Sequence, residues 1–327
     1  MPDVNAHAGD VTAVVVTFHP EAERTVALLE AVRPQVGHVV VVDNGSPEPL
    51  LAELRVATER LGCTLVDLGA NRGIAAAQNV GIAQARRHGA RFVLLSDQDS
   101  LPAPDMVHRL LEGMQAAHAR AATGGRPPAA VGPVTVDERN AGAALLFSDH
   151  RWGPRRASVP DVDGQLVDAT FLIASGSLVS VEALEVVGPM NEGWFIDHVD
   201  LEWGLRARAA GFTLYGVTGA HLEHALGDRT QRIPGRARDV HIHSPQRNYY
   251  MARNTVLLVR SGLLPVAWRW GYRAWITKYA AFYVLAVSPR GRRAGFLARG
   301  FWDGVRGRTG EYAAGRPAEV LPAGAVR

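Results

Sequence analysis

Apolar positions in the first hundred residues follow two rhythms. "VTAVVVTF" (11–18) and "HVVVVDNGS" (38–46) are short, continuous, valine-rich runs ending in polar turn residues, as expected of strands buried on both faces. Helical spacing fills 21–32, 48–61 and 74–88, while "TLVDL" (64–68) and "RFVLLSDQD" (91–99) return to the strand pattern. Strand–helix alternation with short connections predicts an α/β fold with a mostly parallel sheet flanked by helices. In such sheets ligands bind beyond the carboxyl ends of the strands. The polar clusters at Thr17, at Asp43 to Ser46 and at Asp97 to Ser100 all occupy such ends.

Further along the rhythm weakens. "ARAATGGRPPAA" (119–130) reads as a linker or loop, and 148–166 as polar and irregular. Strand character resumes in "VDATFLIASGSLVS" (167–180) and "FTLYGVT" (212–218). Between them "FIDHVDLEWGLRA" (195–207) opens a helix predicted over 198–210, with Gly211 suited to end it. Beyond residue 228 the pattern becomes aromatic and basic at near-helical spacing, as in "PVAWRWGYRAWITKYAAFYVLAV".

Charge sharpens that division. Residues 228–327 carry 18 Lys and Arg against 5 Asp and Glu, a net +13, which leaves −10 on the rest. Such a segment suits an interfacial position on anionic lipid, or helices packed back on the domain with a basic outer face. No nucleic-acid-binding module pattern is present. The start "MPDVNAHAGD" is not a signal peptide, and no run of 18 uncharged apolar residues suggests a spanning helix. The single cysteine, Cys63, rules out an intramolecular disulfide and fits a reducing compartment.

Three stretches carry candidate chemistry. In "LLSDQDS", Asp97 and Asp99 leave one strand end two residues apart; such carboxylates repel unless a cation or donors compensate, and a phosphate-bearing Mg²⁺ would do so. A pair of solvated loop acids is the plainer alternative. In "NRGIAAAQNVGIAQA" (71–85), Asn71 and Gly73 open a small-residue helix whose free N–H groups favour an anion, or which simply packs closely on the sheet. Asn79, inside that helix, needs a polar partner if buried. In "FIDHVDLEWGLRA", Glu202 and Arg206 form an i, i+4 pair and Asp197 sits where a helix cap would. Asp200 remains unpaired in the first turn.

Taken in order, "VVVTFHP", "VVDNGS", "NRGIAAAQNVGI", "LLSDQDS" and "MNEGWFIDHVDLEWGLRARAAGF" resemble the family 2 glycosyltransferases of GT-A fold. With "RNYYMARN" (247–254) the chain is most similar to the bacterial rhamnosyltransferases of that family. The resemblance covers 11–227 and implies a catalytic domain there; residues 1–10 are expected to be disordered and the basic 228–327 to form a helical, membrane-associating region. It implies that Thr17, Phe18, Asp43, Asn71, Gly73 and Asp97 bind a nucleotide-sugar. Asp97, Asp99 and, from "HALG", His224 would hold Mg²⁺ or Mn²⁺, with His221 as the competing histidine. The family's arginine six places after the catalytic acid selects Asp200 as base, with Val199 standing where an acid usually precedes it. Trp194, Gly176, Ser177 and Asp197 are candidates for the acceptor, Trp203 for the core. Arg247, Tyr250 and Arg253 are candidates for the diphosphate, and "HIHS" (241–244) looks metal-like but reads better as a loop.

The implied activity is inverting transfer of L-rhamnose from dTDP-rhamnose to a lipid-linked or polysaccharide acceptor in cell-surface glycan assembly. The implied location is the cytoplasmic face of the plasma membrane, with a homo-oligomer compatible with the sequence. Alternatives are a UDP-sugar or furanose donor, or a catalytically silent GT-A scaffold.

Overall fold

A computed structural model describes residues 7–134, 136–137, 143–224, 229–231 and 240–312. The amino-terminal strands are β1 (Val11–Thr17), β2 (His38–Asp43), β3 (Thr64–Asp67), β4 (Phe92–Asp97), β5 (Ser100–Pro102) and β6 (Pro128–Pro133). Two-residue strands follow: β7 (Val136–Asp137), β8 (Ala143–Ala144), β9 (Phe147–Ser148) and β10 (Arg155–Arg156). Then come β11 (Leu166–Asp168), β12 (Leu178–Ser180), β13 (Thr213–Val217), β14 (Leu222–His224), β15 (Arg229–Gln231) and β16 (Val240–Ile242). The helices are α1 (Ala22–Val32), α2 (Glu48–Arg60), α3 (Ile74–Arg87), α4 (Met106–Ala122), α5 (Val181–Val187) and α6 (Val199–Ala209), then α7 (Pro245–Arg260), α8 (Val266–Ala286) and α9 (Arg290–Val305).

The central sheet has eight strands in the order β11-β13-β6-β12-β4-β1-β2-β3. β1, β2, β3 and β4 are parallel, β6 and β13 run the same way, and only β11 and β12 oppose them. The expected mostly parallel α/β sheet is what forms. On β1 every residue is buried, because alternate side chains enter opposite layers. Val14 and Val16 join the core that includes α3 and α6, while Ala13 and Val15 join the one that includes α1 and α4. Gly81 permits a close helix–sheet approach: a Cβ there would fall 2.1 Å from Val14 Cγ1.

Three expectations are corrected or narrowed. Of residues 119–130 only 123–127 form a loop: 119–122 complete α4 and 128–130 open β6, all six residues of which are buried. Proline is tolerated there because Pro128 and Pro133 are its first and last residues, where ladder bonds can be spared. Residues 7–10 are ordered, with Asp10 O accepting a hydrogen bond from Arg91 N (2.9 Å) and Gly37 N donating to Ala8 O (2.8 Å); residues 1–6 lie outside the described residues. Strand character in 167–180 is confined to its ends, in β11 and β12, with a largely buried bend between them.

The carboxy-terminal helices α7, α8 and α9 pack on one another, and several of their polar residues point inward. Asn248, Arg253, Asn254 and Arg293 are all buried. Arg293 Nη1 donates to Asn248 Oδ1 (2.7 Å), and Asn248 Nδ2 to the Tyr279 hydroxyl (2.8 Å). Among the described residues no helix is long and apolar enough to cross a membrane.

Candidate active site

Parallel register brings the polar strand ends together. Thr17 lies opposite Asp43, Asp43 opposite Asp67, and Val16 opposite Asp97. Asp43 is 0 % exposed and its carboxylate is fully used. Its Oδ2 accepts from Thr17 Oγ1 (2.9 Å) and Ser46 Oγ (2.6 Å), and its Oδ1 from the N–H groups of Ser46 (2.7 Å) and Gly45 (3.1 Å). Thr17 and Asp43 therefore shape the wall of the site from behind. Direct contact with a base or ribose, expected of both, is corrected: neither side chain has surface to offer.

Phe18 is different, at 42 % exposed. Gln98, between the two acids, clasps it: Phe18 N donates to Gln98 Oε1 (2.7 Å), and Gln98 Nε2 donates to Phe18 O (3.2 Å). This clasp escaped the sequence reading, because the partners are 80 residues apart. Asn71 Oδ1 accepts from Asn44 Nδ2 (3.1 Å) and from Gly73 N (3.0 Å), so it folds the neighbouring loop. The expected anion-binding start of α3 is partly capped by protein, since Ile74 N donates to Phe195 O (2.7 Å).

Asp97 and Asp99 stand half-buried at the end of β4, and the N–H of Asp97 donates to Ser175 Oγ (3.2 Å). β14 pairs with β5 so that the backbone of His224 faces Ser100, next to Asp99. Asp97, Asp99 and the backbone of His224 thus converge at one end of the sheet, although the His224 side chain and 225–227 of "HALG" lie outside the described residues. Two carboxylates leaving most of a coordination sphere to phosphate and water fit a hard divalent cation. Among the described residues no group of three His, Cys, Asp or Glu is disposed to hold one. His221 is exposed.

The segment before α6 is strained, with Phe195 at φ +62°, Asp197 at +66° and His198 at +63°. His198, not Asp197, is the residue before the helix, and it makes no side-chain cap. The cap expected of Asp197 is corrected: its carboxylate pairs with Arg247 Nη2 (2.6 Å). α7 holds the rest of the segment. Asn254 Nδ2 lies within hydrogen-bond distance of three carbonyls, Trp194 (2.9 Å), Ile196 (2.8 Å) and Asp197 (2.9 Å). Arg253 donates to the carbonyls of Gly193 (3.1 Å), Trp194 (3.0 Å) and Gly310.

The diphosphate contacts expected of Arg253 and Tyr250 are both corrected. Arg253 is wholly buried in these bonds; Tyr250 is buried, stacked on Phe195 with ring centroids 5.0 Å apart, its hydroxyl accepting from Tyr312 N (2.8 Å). Arg247 is committed to Asp197. Trp194 is also corrected: at 4 % exposed its ring belongs to the core and cannot stack on a sugar. Trp203 is in the core as expected, its Nε1 donating to Gly188 O (3.0 Å). Ser177 is buried and donates to Ile173 O (2.6 Å), while buried Gly176, at φ +82°, sits against Pro133 and Leu222. Neither lines an open acceptor surface. Asn79 does find its partners, Met190 O (2.9 Å) and Glu192 Oε1 (2.8 Å).

The acids of α6 now separate by role. Glu202 is buried and pairs with Arg206 (2.9 Å), which also donates to Val187 O (2.7 Å) and Pro189 O (2.8 Å), tying α6 to the end of α5. Asp200 makes no ion pair among the described residues; its Oδ1 accepts from Leu201 N (2.8 Å). Burial pushes its carboxyl up to about 6, with the charges of Asp97 and Asp197 adding to the effect and the Leu201 N–H opposing it. A carboxylate in that range can be ionised near neutrality and still accept a proton.

Asp200 also borders a cleft of about 250 Å³. Its lining includes the rings of Phe147, Trp152 and Phe171 together with Tyr272 and Trp275 of α8. His198 lies beside Asp200, its Nε2 3.0 Å from Thr255 Oγ1, and burial pushes its imidazole down to about 4. These cleft residues also escaped the sequence reading, which left the segment either on anionic lipid or packed back on the domain without naming the residues it would bring to a site. The aromatic spacing of "YRAW" was visible, but not which side of the helix meets the domain.

The model of the family described as Glycosyl transferase family 2 matches residues 13–188. The chain is 34 % identical to the dTDP-rhamnosyl transferase RfbF of Shigella flexneri over 258 residues, 79 % of this chain and 82 % of that protein. Among solved structures it is similar to S. aureus TarS 1-349 in complex with UDP-GlcNAc (TM-score 0.54, 13 % identity, 90 % of this chain and 80 % of that one). It is also similar to the mannosyltransferase PcManGT from Pyrobaculum calidifontis in complex with GDP-Man and Mn²⁺ (TM-score 0.52, 19 % identity, 91 % and 76 %). At these identities the structural likeness establishes a shared GT-A fold.

Proposed function

From the premise that this chain belongs to glycosyl transferase family 2, we propose that it is a metal-dependent inverting rhamnosyltransferase with Asp200 as its base. The observation that carries the reading is the position of Asp200. It has no ion-pair partner among the described residues, it feels the charge of Asp97 at the end of β4, and it opens onto the aromatic cleft. A base between a diphosphate site and an acceptor site must occupy such a junction. Asp200 takes the proton from an acceptor hydroxyl as that oxygen bonds to the anomeric carbon, and the bond from that carbon to the diphosphate oxygen breaks. One displacement without an enzyme nucleophile inverts the anomeric centre.

The donor is proposed to be dTDP-rhamnose, on the likeness to the S. flexneri protein. Phe18, exposed and clasped by Gln98, offers a ring for the base, and Asn71 and Gly73 form the adjoining loop. Asp97 and Asp99, with His224, would hold Mg²⁺ or Mn²⁺, whose charge would stabilise the departing diphosphate. The Mn²⁺ in the Pyrobaculum mannosyltransferase complex is in keeping with that choice. The acceptor is proposed to be a lipid-linked or polysaccharide glycan of the cell surface. Exposed Trp270, Phe301 and Trp302 among arginines of α8 and α9 support contact with an anionic membrane.

The direct test is Asp200→Asn. Turnover should fall at least about a hundredfold while dTDP-rhamnose still binds. Near-normal transfer would remove Asp200 from the role.

A further inference from the structure

The residues first expected to bind the acceptor are buried, yet the cleft beside Asp200 is open and built from side chains that the donor reading does not use. We propose that this cleft is the acceptor site and that it takes one neutral hexopyranose ring. The proposal deepens the reading of Asp200 as base and rests on it.

Shape and chemistry of the lining argue for a sugar. Phe147, Trp152, Phe171, Tyr272 and Trp275 present aromatic surface, and among the described residues Leu201 is the only aliphatic side chain of the lining apart from Pro154. A lipid tail is usually held by flexible aliphatic side chains; a pyranose offers a flat patch of C–H groups that packs on aromatic rings. The polar side chains of Asp200 and His198 border the same cleft as these rings, so a sugar stacked on the aromatic lining can direct a hydroxyl at the carboxylate. At about 250 Å³ the cleft is smaller than the ~300–1,000 Å³ usual for drug-sized ligands, which suits a single ring with the rest of a glycan beyond the mouth.

Charge argues for a neutral ring. Among the described residues no Lys or Arg lines the cleft itself, although the exposed Arg151 guanidinium stands over the rim ring of Trp152 (5.2 Å), and burial keeps His198 uncharged. A carboxylated sugar would meet Asp200 with no lining cation to offset the repulsion. The site is also preformed. A Cβ on Gly271 would fall 1.7 Å from the Trp152 carbonyl, so α8 and the 147–154 segment are in backbone contact. Trp268 Nε1 donates to His150 O (2.7 Å), fixing the same two elements. Little ordering is then left to be done on binding. Trp152 and Trp275, 50 % and 40 % exposed, form the accessible rim.

Calorimetric and tryptophan-fluorescence titrations of the full chain, saturated with dTDP and Mn²⁺, test the proposal. The probes are methyl glucoside, galactoside, mannoside and rhamnoside, with methyl glucuronide and galacturonide as charged counterparts. At least one neutral pyranoside should bind, and each uronide should bind at least about tenfold more weakly than its parent. Trp152→Ala and Trp275→Ala, both at the rim, should each weaken the pyranoside about tenfold or more and leave dTDP affinity within about twofold. A uronide binding as well as its parent, unchanged affinity in both variants, or no binding of any neutral pyranoside would overturn the proposal. Failure of the wild-type chain to bind dTDP or dTDP-rhamnose would count instead against the donor reading.

Discussion

Gly73 and Phe195 are in backbone contact: a Cβ on Gly73 would come within 2.6 Å of the Phe195 carbonyl oxygen, which accepts a hydrogen bond from Ile74 N (2.7 Å). One contact thus joins the loop at the start of α3 to the segment that aims Asp200. Gly73 lies at φ +87°, ψ 158°, a region essentially reserved for glycine. Gly73→Ala should cost about 2 kcal/mol or more in thermal or denaturant unfolding, from strain and the clash together, and should lower turnover. Gly69→Ala is the control. Its φ is +67° but nothing lies within 4 Å, so it should cost only about 1–2 kcal/mol and leave turnover intact.

Asn254 satisfies carbonyls of a segment that has three residues at positive φ. Asn254→Ala leaves buried acceptors unpaired, at about 1–3 kcal/mol of stability. Because the segment leads directly into α6, kcat should fall at least about tenfold while the donor Kd stays within about twofold. An equal loss in both would show that the residue only supports the fold.

The raised pKa of Asp200 sets two pH dependences. Ionising this carboxyl is harder in the folded state, at about 6, than at the usual 3.8. Its destabilising effect is therefore fully present above pH 6 and disappears as pH falls below about 4. The shift corresponds to roughly 3 kcal/mol at most. In chelator, Asp200→Asn should be more stable than the wild type at pH 7.5, and the difference should vanish near pH 4. In turnover the sign is opposite, since a base must be ionised. Acceptor kcat/KM should show an acid limb at or below pH 6, lower when a bound cation assists ionisation. A variant less stable than wild type at pH 7.5 would contradict this account.

Trp270 and Trp302 are exposed, each with an arginine over its ring, Arg273 at 4.8 Å and Arg306 at 5.8 Å. Co-sedimentation with phosphatidylglycerol-containing vesicles should exceed that with phosphatidylcholine alone and weaken with salt. Replacing both tryptophans with serine should reduce binding at least about fivefold. Equal binding to neutral vesicles would count against an electrostatic contact.

The sequence alone determined the α/β sheet, because a strand buried on both faces and a helix buried on one leave different periodicities that need no partner to be recognised. It likewise separated Asp200 from Glu202, since the i, i+4 spacing to Arg206 is local. Only the tertiary structure decided which polar side chains face a ligand. Thr17 and Asp43 stand at the expected strand ends but are spent on each other and on the following turn. Arg253 and Tyr250 read as contacts for a diphosphate, yet they turn inward to hold the 193–198 segment. Tyr272 and Trp275 reach Asp200 from more than 70 positions away. A periodicity shows that a helix has two faces; which one meets the active site depends on contacts made far along the chain.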